Sequence, residues 1–80
     1  MIDAVRSWVE DGPVWFGLSD QRLISFPVST YRRLAGAPEN LVKRVQLRVQ
    51  GHALRWEELD EDIWVKDAIA GRFSSPHAHA

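Results

Sequence analysis

Residues 57–62 carry five carboxylates within six positions, although the formal net charge of the whole chain is only −1. Such crowding raises the free energy of the folded chain unless the carboxylates are solvated, cap backbone N–H groups or face a cation. The acidic residues follow an apolar–polar alternation over Ala53–Trp56 and precede an amphipathic stretch that ends at Gly71. The order strand, acidic turn and helical turn is therefore the strongest constraint that the sequence places on the fold.

Length and composition indicate one small globular domain. A chain of 80 residues buries only about 60% of its unfolded surface, so its stability margin is thin. The chain has no cysteine, which excludes disulfides and thiolate chemistry. It shows no apolar run of about 18–20 residues and no N-terminal signal-peptide pattern. We therefore expect a cytoplasmic protein of bacterial type that does not enter a membrane.

Five short segments show the alternation or the flanking turn signals of β-strands. In the first, Val5 and Val9 share one side, and in the second, Val14, Phe16 and Leu18 share one face. The predicted strands are 4–10, Val14–Leu18, Leu23–Phe26, Val45–Val49 and Ala53–Trp56.

Short helical turns are predicted between and after these strands. Ser29 or Thr30 is suited to cap a turn over Tyr31–Leu34. A proline at the first helical position favours a second helix over Pro38–Lys43.

A last helical turn is predicted to follow the acidic residues, with Asp60 or Asp62 as its cap. Together the elements predict an α+β fold: a small antiparallel β-sheet of two hairpins, with short helical turns packed on one face. Residues 1–72 are expected to form one domain. Residues 73–80 lack periodicity and are expected to form a mobile tail.

The chain has four tryptophans, which is many for a core of this size. The simpler interpretation places two or three of them in the core, because each large ring buries about 150–250 Å². The alternative places at least one on a partner-binding surface, where tryptophan is enriched.

The acidic residues and the histidines are the candidate metal-binding or catalytic groups. Carboxylates suit Ca²⁺ and Mg²⁺, but the acidic stretch lacks EF-hand spacing and a turn glycine. Helix capping with solvated charge is favoured, and a recognition surface comes next. His52 has no partner in a recognisable catalytic order, and His77 with His79 forms only an adventitious metal pair. No catalytic, metal-binding or cofactor-binding residue is assigned.

Basic residues lie in the middle of the chain, and they are Arg32, Arg33, Lys43, Arg44, Arg48 and Arg55. The sequence pI is about 6.3, and no helix-turn-helix, ribbon or zinc module is visible. We therefore expect no nucleic-acid binding by this chain alone. A charge-complementary protein partner is favoured, because it gives both the basic and the acidic residues a use.

Several local motifs occur together in this chain. They are the turn Leu18–Asp20, the helix start Phe26–Ser29 with Tyr31, Arg33 and Leu34, and the segment Ala37–Glu39. A closing motif is the most specific part, and its residues are His52, Trp56, Glu58, Leu59, Asp60, Glu61, Asp62, Ile63, Val65, Ala70 and Gly71. Over residues 4–72 the chain resembles the bacterial family Domain of Unknown Function 2442. It departs from the family pattern at three positions: this chain has Gln21 where the family has glycine, Glu57 where proline often follows the tryptophan, and Ala37 where threonine is usual.

The resemblance implies a small α+β domain with no known catalytic activity. Family members are often encoded beside another small protein, in an arrangement similar to toxin–antitoxin pairs. Some members carry an additional helix-turn-helix domain, which this sequence does not include.

The favoured function is a non-enzymatic protein–protein interaction module, either an antitoxin-like partner or a small accessory subunit. Its partner would be a neighbour-encoded small protein, a second copy of the chain, or both. The alternative is a homodimeric structural or ligand-sensing subunit, and a small hydrolase with paired carboxylates is the third class. The predicted partner-binding residues are Trp56, Glu58, Asp60, Glu61, Asp62 and Trp64.

Overall fold

The structure is a computed structural model that describes residues 2–72. The predicted tail at 73–80, with His77 and His79, lies outside the described residues. Within 2–72 the chain forms two three-stranded antiparallel sheets and three short α-helices. The predicted α+β class with two hairpins is therefore confirmed.

The first sheet is formed by three consecutive strands, β1 (Ala4–Val9), β2 (Val14–Leu18) and β3 (Leu23–Phe26). Neighbouring strands pair antiparallel in the order β1-β2-β3. The bounds predicted for β2 and β3 are confirmed, and the alternating residues Val14, Phe16 and Leu18 are buried as expected. One face of β2 therefore supplies a large part of the core.

A β-bulge shifts the register of β1 close to its start. Ala4 pairs with Leu18 and Arg6 pairs with Gly17, so Val5 is left without an opposite residue. A bulge inserts one extra residue into a strand, so the alternation between inner and outer face is offset by one position across it. Ala4 is consequently buried while Val5 is 60% exposed. The prediction that Val5 shares its side with Val9 is wrong for this reason.

The middle of the chain contains a 3₁₀ turn at Val28–Thr30, followed by α1 (Arg32–Ala35) and α2 (Glu39–Val42). Both predicted helical turns are present: the first begins and ends one residue later than predicted, and the second is one residue shorter at each end. Neither has a side-chain cap, since Tyr31 and Pro38 occupy the N-cap positions without a capping hydrogen bond. The predicted cap at Ser29 or Thr30 is wrong, because both residues belong to the 3₁₀ turn.

The second sheet contains β4 (Gln46–Arg48), β5 (Ala53–Trp56) and β6 (Glu61–Trp64), in the order β4-β5-β6. The bounds predicted for β5 are confirmed. Strand β4 is shorter than predicted, because Val49 and Gln50 adopt positive φ angles of 54° and 55° and begin the turn into β5. The four strands that we predicted in one sheet are thus divided between two.

Strand β6 replaces part of the predicted last helix. Asp62 pairs with Arg55 and Ile63 pairs with Leu54, so the chain is extended up to Trp64. Helix α3 (Val65–Ala70) begins only there, with Trp64 at the N-cap and no side-chain capping bond. The prediction that Asp60 or Asp62 caps this helix is therefore wrong. Among residues 2–72, no helix is long and apolar enough to cross a membrane.

The inner faces of both sheets and the three helices enclose one core. Its residues are Ala4, Val14, Phe16, Leu18, Phe26, Tyr31, Leu34, Val42, Leu54, Trp56, Ile63, Val65 and Ala68. Trp56 is the largest fully buried side chain, and its indole N–H donates a 2.8 Å hydrogen bond to the Val42 carbonyl. This bond satisfies the one polar atom of the ring and ties β5 to α2.

Gly51 joins the two sheets. Its carbonyl accepts a 2.8 Å hydrogen bond from the Ala4 N–H, and its φ angle is 87°. A Cβ atom at this position would lie 2.3 Å from the Ala4 carbonyl oxygen, so only glycine fits. The turn between β4 and β5 can therefore lie directly against the start of β1.

Candidate interaction surface

The outer face of the second sheet is the side of β4, β5 and β6 that points away from the core. Strand alternation and the observed register place Gln46, Arg48, Ala53, Arg55, Asp62 and Trp64 on it. Arg55 lies in the middle strand with Gln46 on one side and Asp62 on the other. This face carries two of the predicted contact residues, Asp62 and Trp64.

Arg55 is the cation that the acidic residues face. Its guanidinium donates hydrogen bonds to Glu57 at 2.9 Å, to Asp62 at 2.7 Å and to Asp60 at 3.1 Å. Hydrogen bonds to the Glu57 carboxylate and then to Asp62 and Asp60 raise the pKa of Arg55 above its ordinary value. One arginine therefore offsets the repulsion among three of the carboxylates.

Two further arginines pair with the same acidic stretch. Arg44 donates a 2.9 Å hydrogen bond to Glu58, and this bond lowers the pKa of the Glu58 carboxyl below its ordinary value. Arg33 donates a 2.6 Å hydrogen bond to the backbone carbonyl of Asp60 and lies 3.8 Å from its carboxylate. Asp60 itself has a left-handed backbone, with φ 49° and ψ 47°, at the end of the 3₁₀ turn Glu57–Leu59.

The predicted contact residues differ widely in exposure. Trp56 is fully buried and bonded to the Val42 carbonyl, so it cannot be part of a contact surface in this fold. Glu58, Asp60 and Asp62 are exposed, but each forms an ion pair within the chain. Glu61 is half-buried. Trp64 is 49% exposed and is therefore the aromatic member of the set that a partner can reach.

Trp64 lies in a groove at the junction of β6, α3 and the N-terminal residues. The groove has a volume of about 340 Å³ and is lined by Ile2, His52, Trp64, Val65 and Lys66. We call it the Trp64 groove. Ile2 is 44% exposed, so two large apolar side chains line an open depression. Ile2 and Lys66 were not predicted as contact residues, since no local pattern links residue 2 to residue 64.

The floor of the groove is fixed by contacts of His52. Its Nε2 lies 2.6 Å from the Asp3 carboxylate, and its carbonyl accepts a 2.8 Å hydrogen bond from the Val65 N–H. The N-terminal residues are thereby held against the start of α3. The Trp64 groove is consequently built from the N-terminal residues, the turn before β5 and the junction of β6 with α3.

A second aromatic surface lies on the outer face of the first sheet. The rings of Trp8 and Trp15, opposite each other on β1 and β2, stack at 6.2 Å and 9°, and the Arg6 guanidinium lies 5.0 Å from the Trp8 ring centre. The sequence contained a signal for this pair, because a turn centred on Asp11 and Gly12 places positions 8 and 15 opposite each other. We expected two or three tryptophans in the core, but Trp8 and Trp15 are only half-buried.

In residues 2–72, no group of three or more His, Asp or Glu side chains is arranged to hold a metal ion. The fold and surface define a small α+β domain of two three-stranded sheets with an open aromatic groove. The chain belongs to the family described as Protein of unknown function (DUF2442), whose sequence profile matches residues 8–72.

Two solved structures share this fold. A crystal structure of a protein of unknown function from Rhodospirillum rubrum is 26% identical, with a TM-score of 0.90, over 100% of this chain and 99% of that chain. A solution NMR structure of the uncharacterized protein CV0863 from Chromobacterium violaceum is 20% identical. Its TM-score is 0.80, over 92% of this chain and 70% of that chain. Among curated proteins, no match was found.

Proposed function

We propose that this protein is a non-enzymatic, cytoplasmic protein–protein interaction module, an antitoxin-like partner or a small accessory subunit. The observation that carries the proposal is the exposure of Trp64, at 49%, beside Ile2 at 44% in one groove. Exposed large apolar side chains that adjoin each other are typical of contact sites. Tryptophan is also the residue most enriched where binding energy concentrates.

The proposed contact surface keeps five of the six residues named from the sequence, namely Trp64, Glu58, Asp60, Glu61 and Asp62. Trp64 supplies the apolar anchor. The carboxylates form the rim, where charge sets partner choice and association rate more than affinity. Because Arg44 and Arg55 already pair with three of them, a partner meets a rim whose charge is partly neutralised.

The proposal is tested by light scattering of the purified protein across a range of concentrations, with and without the neighbour-encoded protein. The expected result is a complex of higher mass that Trp64→Ser abolishes. Leu23→Ser is the matched control, because Leu23 is equally exposed, at 51%, but belongs to the first sheet. A strict monomer that binds no partner, or a complex that survives Trp64→Ser, contradicts the proposal.

A homodimeric structural or ligand-sensing subunit is the second candidate. The stacked Trp8–Trp15 pair favours self-association, since it is a separate aromatic surface available to a second copy. The volume of the Trp64 groove lies near the lower end of the range of about 300–1,000 Å³ that small-ligand sites occupy. A dimer that Trp15→Ser dissociates and Trp64→Ser leaves intact would favour this candidate over the first.

A further inference from the structure

The basic side chains of this protein differ in whether they have an acidic partner. Most of those in residues 2–72 form an ion pair, including Arg33, Arg44 and Arg55 with the acidic stretch. Arg48 and Lys66 form none within the described part of the chain. Arg48 donates only to Gln46 and to the Leu47 carbonyl, and both Arg48 and Lys66 are exposed.

One of these two unpaired cations lines the Trp64 groove, and the other lies in the same cross-strand row as Trp64. Lys66 lines the Trp64 groove, two residues beyond Trp64. Arg48 shares a cross-strand row with it on the outer face of the second sheet, since Ala53 pairs with both Arg48 and Trp64. Ala53 lies between the arginine and the indole in this row and is itself buried. The groove therefore combines the apolar side chains of Ile2, Trp64 and Val65 with the charge of Lys66. Arg48 lies outside the groove, in a neighbouring depression that Glu57 and Glu58 also line.

We propose that the Trp64 groove binds an acidic segment of a partner protein, which inserts one large apolar side chain beside Trp64 and places carboxylates against Lys66 and Arg48. This inference rests on the proposed interaction function and specifies its partner. Within residues 2–72, Asp62 pairs with Arg55 and the Asp3 carboxylate lies 2.6 Å from the His52 Nε2, and no acidic residue forms an ion pair with Lys66 or Arg48. An acidic partner segment supplies carboxylates that can pair with Lys66 and Arg48.

A nucleic-acid partner fits the same surface less well. Binding of a nucleic acid uses many cations that are arranged along its phosphate backbone. Here the acidic stretch Glu57–Asp62 adjoins the groove through β6, so an extended phosphate backbone would meet carboxylates beyond the first contacts. A short acidic peptide segment with one apolar anchor has a footprint small enough to avoid them.

The test uses a displayed library of random peptides about a dozen residues long, selected against the intact protein and in parallel against Trp64→Ser. The expected result is enrichment, on the native protein alone, of peptides with net negative charge and one large apolar residue. A synthetic peptide of the enriched sequence should then bind with an affinity that falls steeply with salt. In an NMR titration the indole N–H signal of Trp64 should shift, while that of the buried Trp56 should not.

Charge reversal then tests the two cations. Lys66→Glu and Arg48→Glu should each weaken binding of the synthetic peptide about fivefold or more, and Trp64→Ser about tenfold or more. Arg32→Glu is the matched control, since Arg32 is also exposed and forms no ion pair within residues 2–72 but belongs to α1. Its binding should equal that of the native protein.

Three results would overturn the inference. Enriched peptides that are neutral or basic would show an apolar site without charge selection. Unchanged peptide binding by both Lys66→Glu and Arg48→Glu would show that these two cations do not contribute to peptide binding. Tighter binding of a labelled DNA duplex than of the acidic peptide, lost in Lys66→Glu, would assign the cations to phosphate. A partner complex that depends on Trp64 but not on Lys66 or Arg48 would leave the proposed interaction function intact.

Discussion

Arg55 lies directly opposite Asp62 across the β5–β6 pair, and its guanidinium donates a 2.7 Å hydrogen bond to the Asp62 carboxylate. The same guanidinium reaches Glu57 and Asp60, which flank the turn that leads into β6. Arg55 thus lies in β5, and the acidic residues lie in the turn after β5 and in β6, which pairs with β5. Because each carboxylate that Arg55 contacts lies beyond the end of β5, its charge favours the pairing of β6 with β5.

Replacing Arg55 by glutamine should destabilise the protein near neutral pH, since three carboxylates would then adjoin one another without a cation. The urea midpoint should fall, and the loss should shrink as the carboxylates become protonated near pH 4. Urea denaturation followed by tryptophan fluorescence at several pH values measures both effects. Arg32→Gln is the control and should leave the midpoint within the small range of ordinary surface substitutions. Equal midpoints for Arg55→Gln and the native protein would contradict the role given to Arg55.

Tyr31 should make stability decrease at high pH. Burial, followed by the nearby charges of Asp67 and Glu61, raises the pKa of Tyr31 from 10.0 to about 12. Below the unfolded pKa both states hold the phenolic proton, so this contribution is fully present. Between pH 10 and about 12 the unfolded chain loses the proton while the folded chain keeps it, and the free energy of unfolding falls.

The protein has one tyrosine, so phenolate absorbance reports on Tyr31 alone. We expect a titration midpoint near 12 in the folded protein and near 10 in denaturant. The control is Tyr31→Phe, which should lose less stability over the same pH range. A midpoint near 10 in the folded protein would show that burial does not suppress ionisation of this phenol.

Gly51→Ala should be strongly destabilising. A left-handed backbone costs a non-glycine residue about 1–2 kcal/mol, and overpacking of a tight contact costs about 1–3 kcal/mol more. The Cβ would lie 2.3 Å from the Ala4 carbonyl oxygen, so the two sheets would have to separate at their junction. Thermal unfolding measures the loss.

Gly36→Ala is the matched control for this substitution. A Cβ at Gly36 meets nothing within 4 Å, and its φ angle is −98°. The change should be neutral or stabilising by up to about 1 kcal/mol. A Gly51→Ala variant as stable as Gly36→Ala would mean that the Ala4–Gly51 contact does not constrain the fold.

Gln21→Gly should stabilise the turn between β2 and β3. Gln21 has a φ angle of 75°, a conformation that costs a residue with a Cβ about 1–2 kcal/mol. Glycine removes this cost but loses more conformational entropy, so the net gain should be about 1 kcal/mol. Gln46→Gly, in the extended strand β4, should instead be destabilising by about 0.5–1 kcal/mol. The midpoints of chemical denaturation of the two variants should therefore shift in opposite directions from that of the native protein. A shift in the same direction would show that the positive φ angle of Gln21 does not cost stability.

Local pattern was sufficient for the elements whose hydrogen bonds run to a neighbour in sequence. The bounds of β2 and β3 follow from two alternating runs that flank a short polar turn, and their pairing needs no distant residue. The bounds of β5 followed in the same way. The family resemblance also came from the sequence, because its closing motif has a fixed order of residues that is independent of packing.

Local pattern failed where a distant or later strand competed with a helix. The acidic residues before Trp64 and Val65 are typical of a helix start, yet β6 forms there because Ile63 becomes buried opposite Leu54. Helix propensity adds a few tenths of a kcal/mol per residue, which burial of an isoleucine, worth about 1.5–3 kcal/mol, outweighs. The cap predicted at Asp60 or Asp62 was lost with the helix.

The sequence by itself determined that the chain is a small α+β domain of the DUF2442 family, with an acidic stretch that needs compensation. Only the tertiary structure decided what compensates it, since Arg55 meets Glu57, Asp60 and Asp62 through the pairing of β5 with β6. Packing likewise decided that Trp56 is buried and Trp64 exposed. The register of β5 with β6, in which Trp56 pairs with Glu61 and Ala53 pairs with Trp64, places the two rings on opposite faces, and packing decides which of these faces becomes the core. That choice depends on the total apolar area that the two sheets and three helices bury together, which no single segment contains.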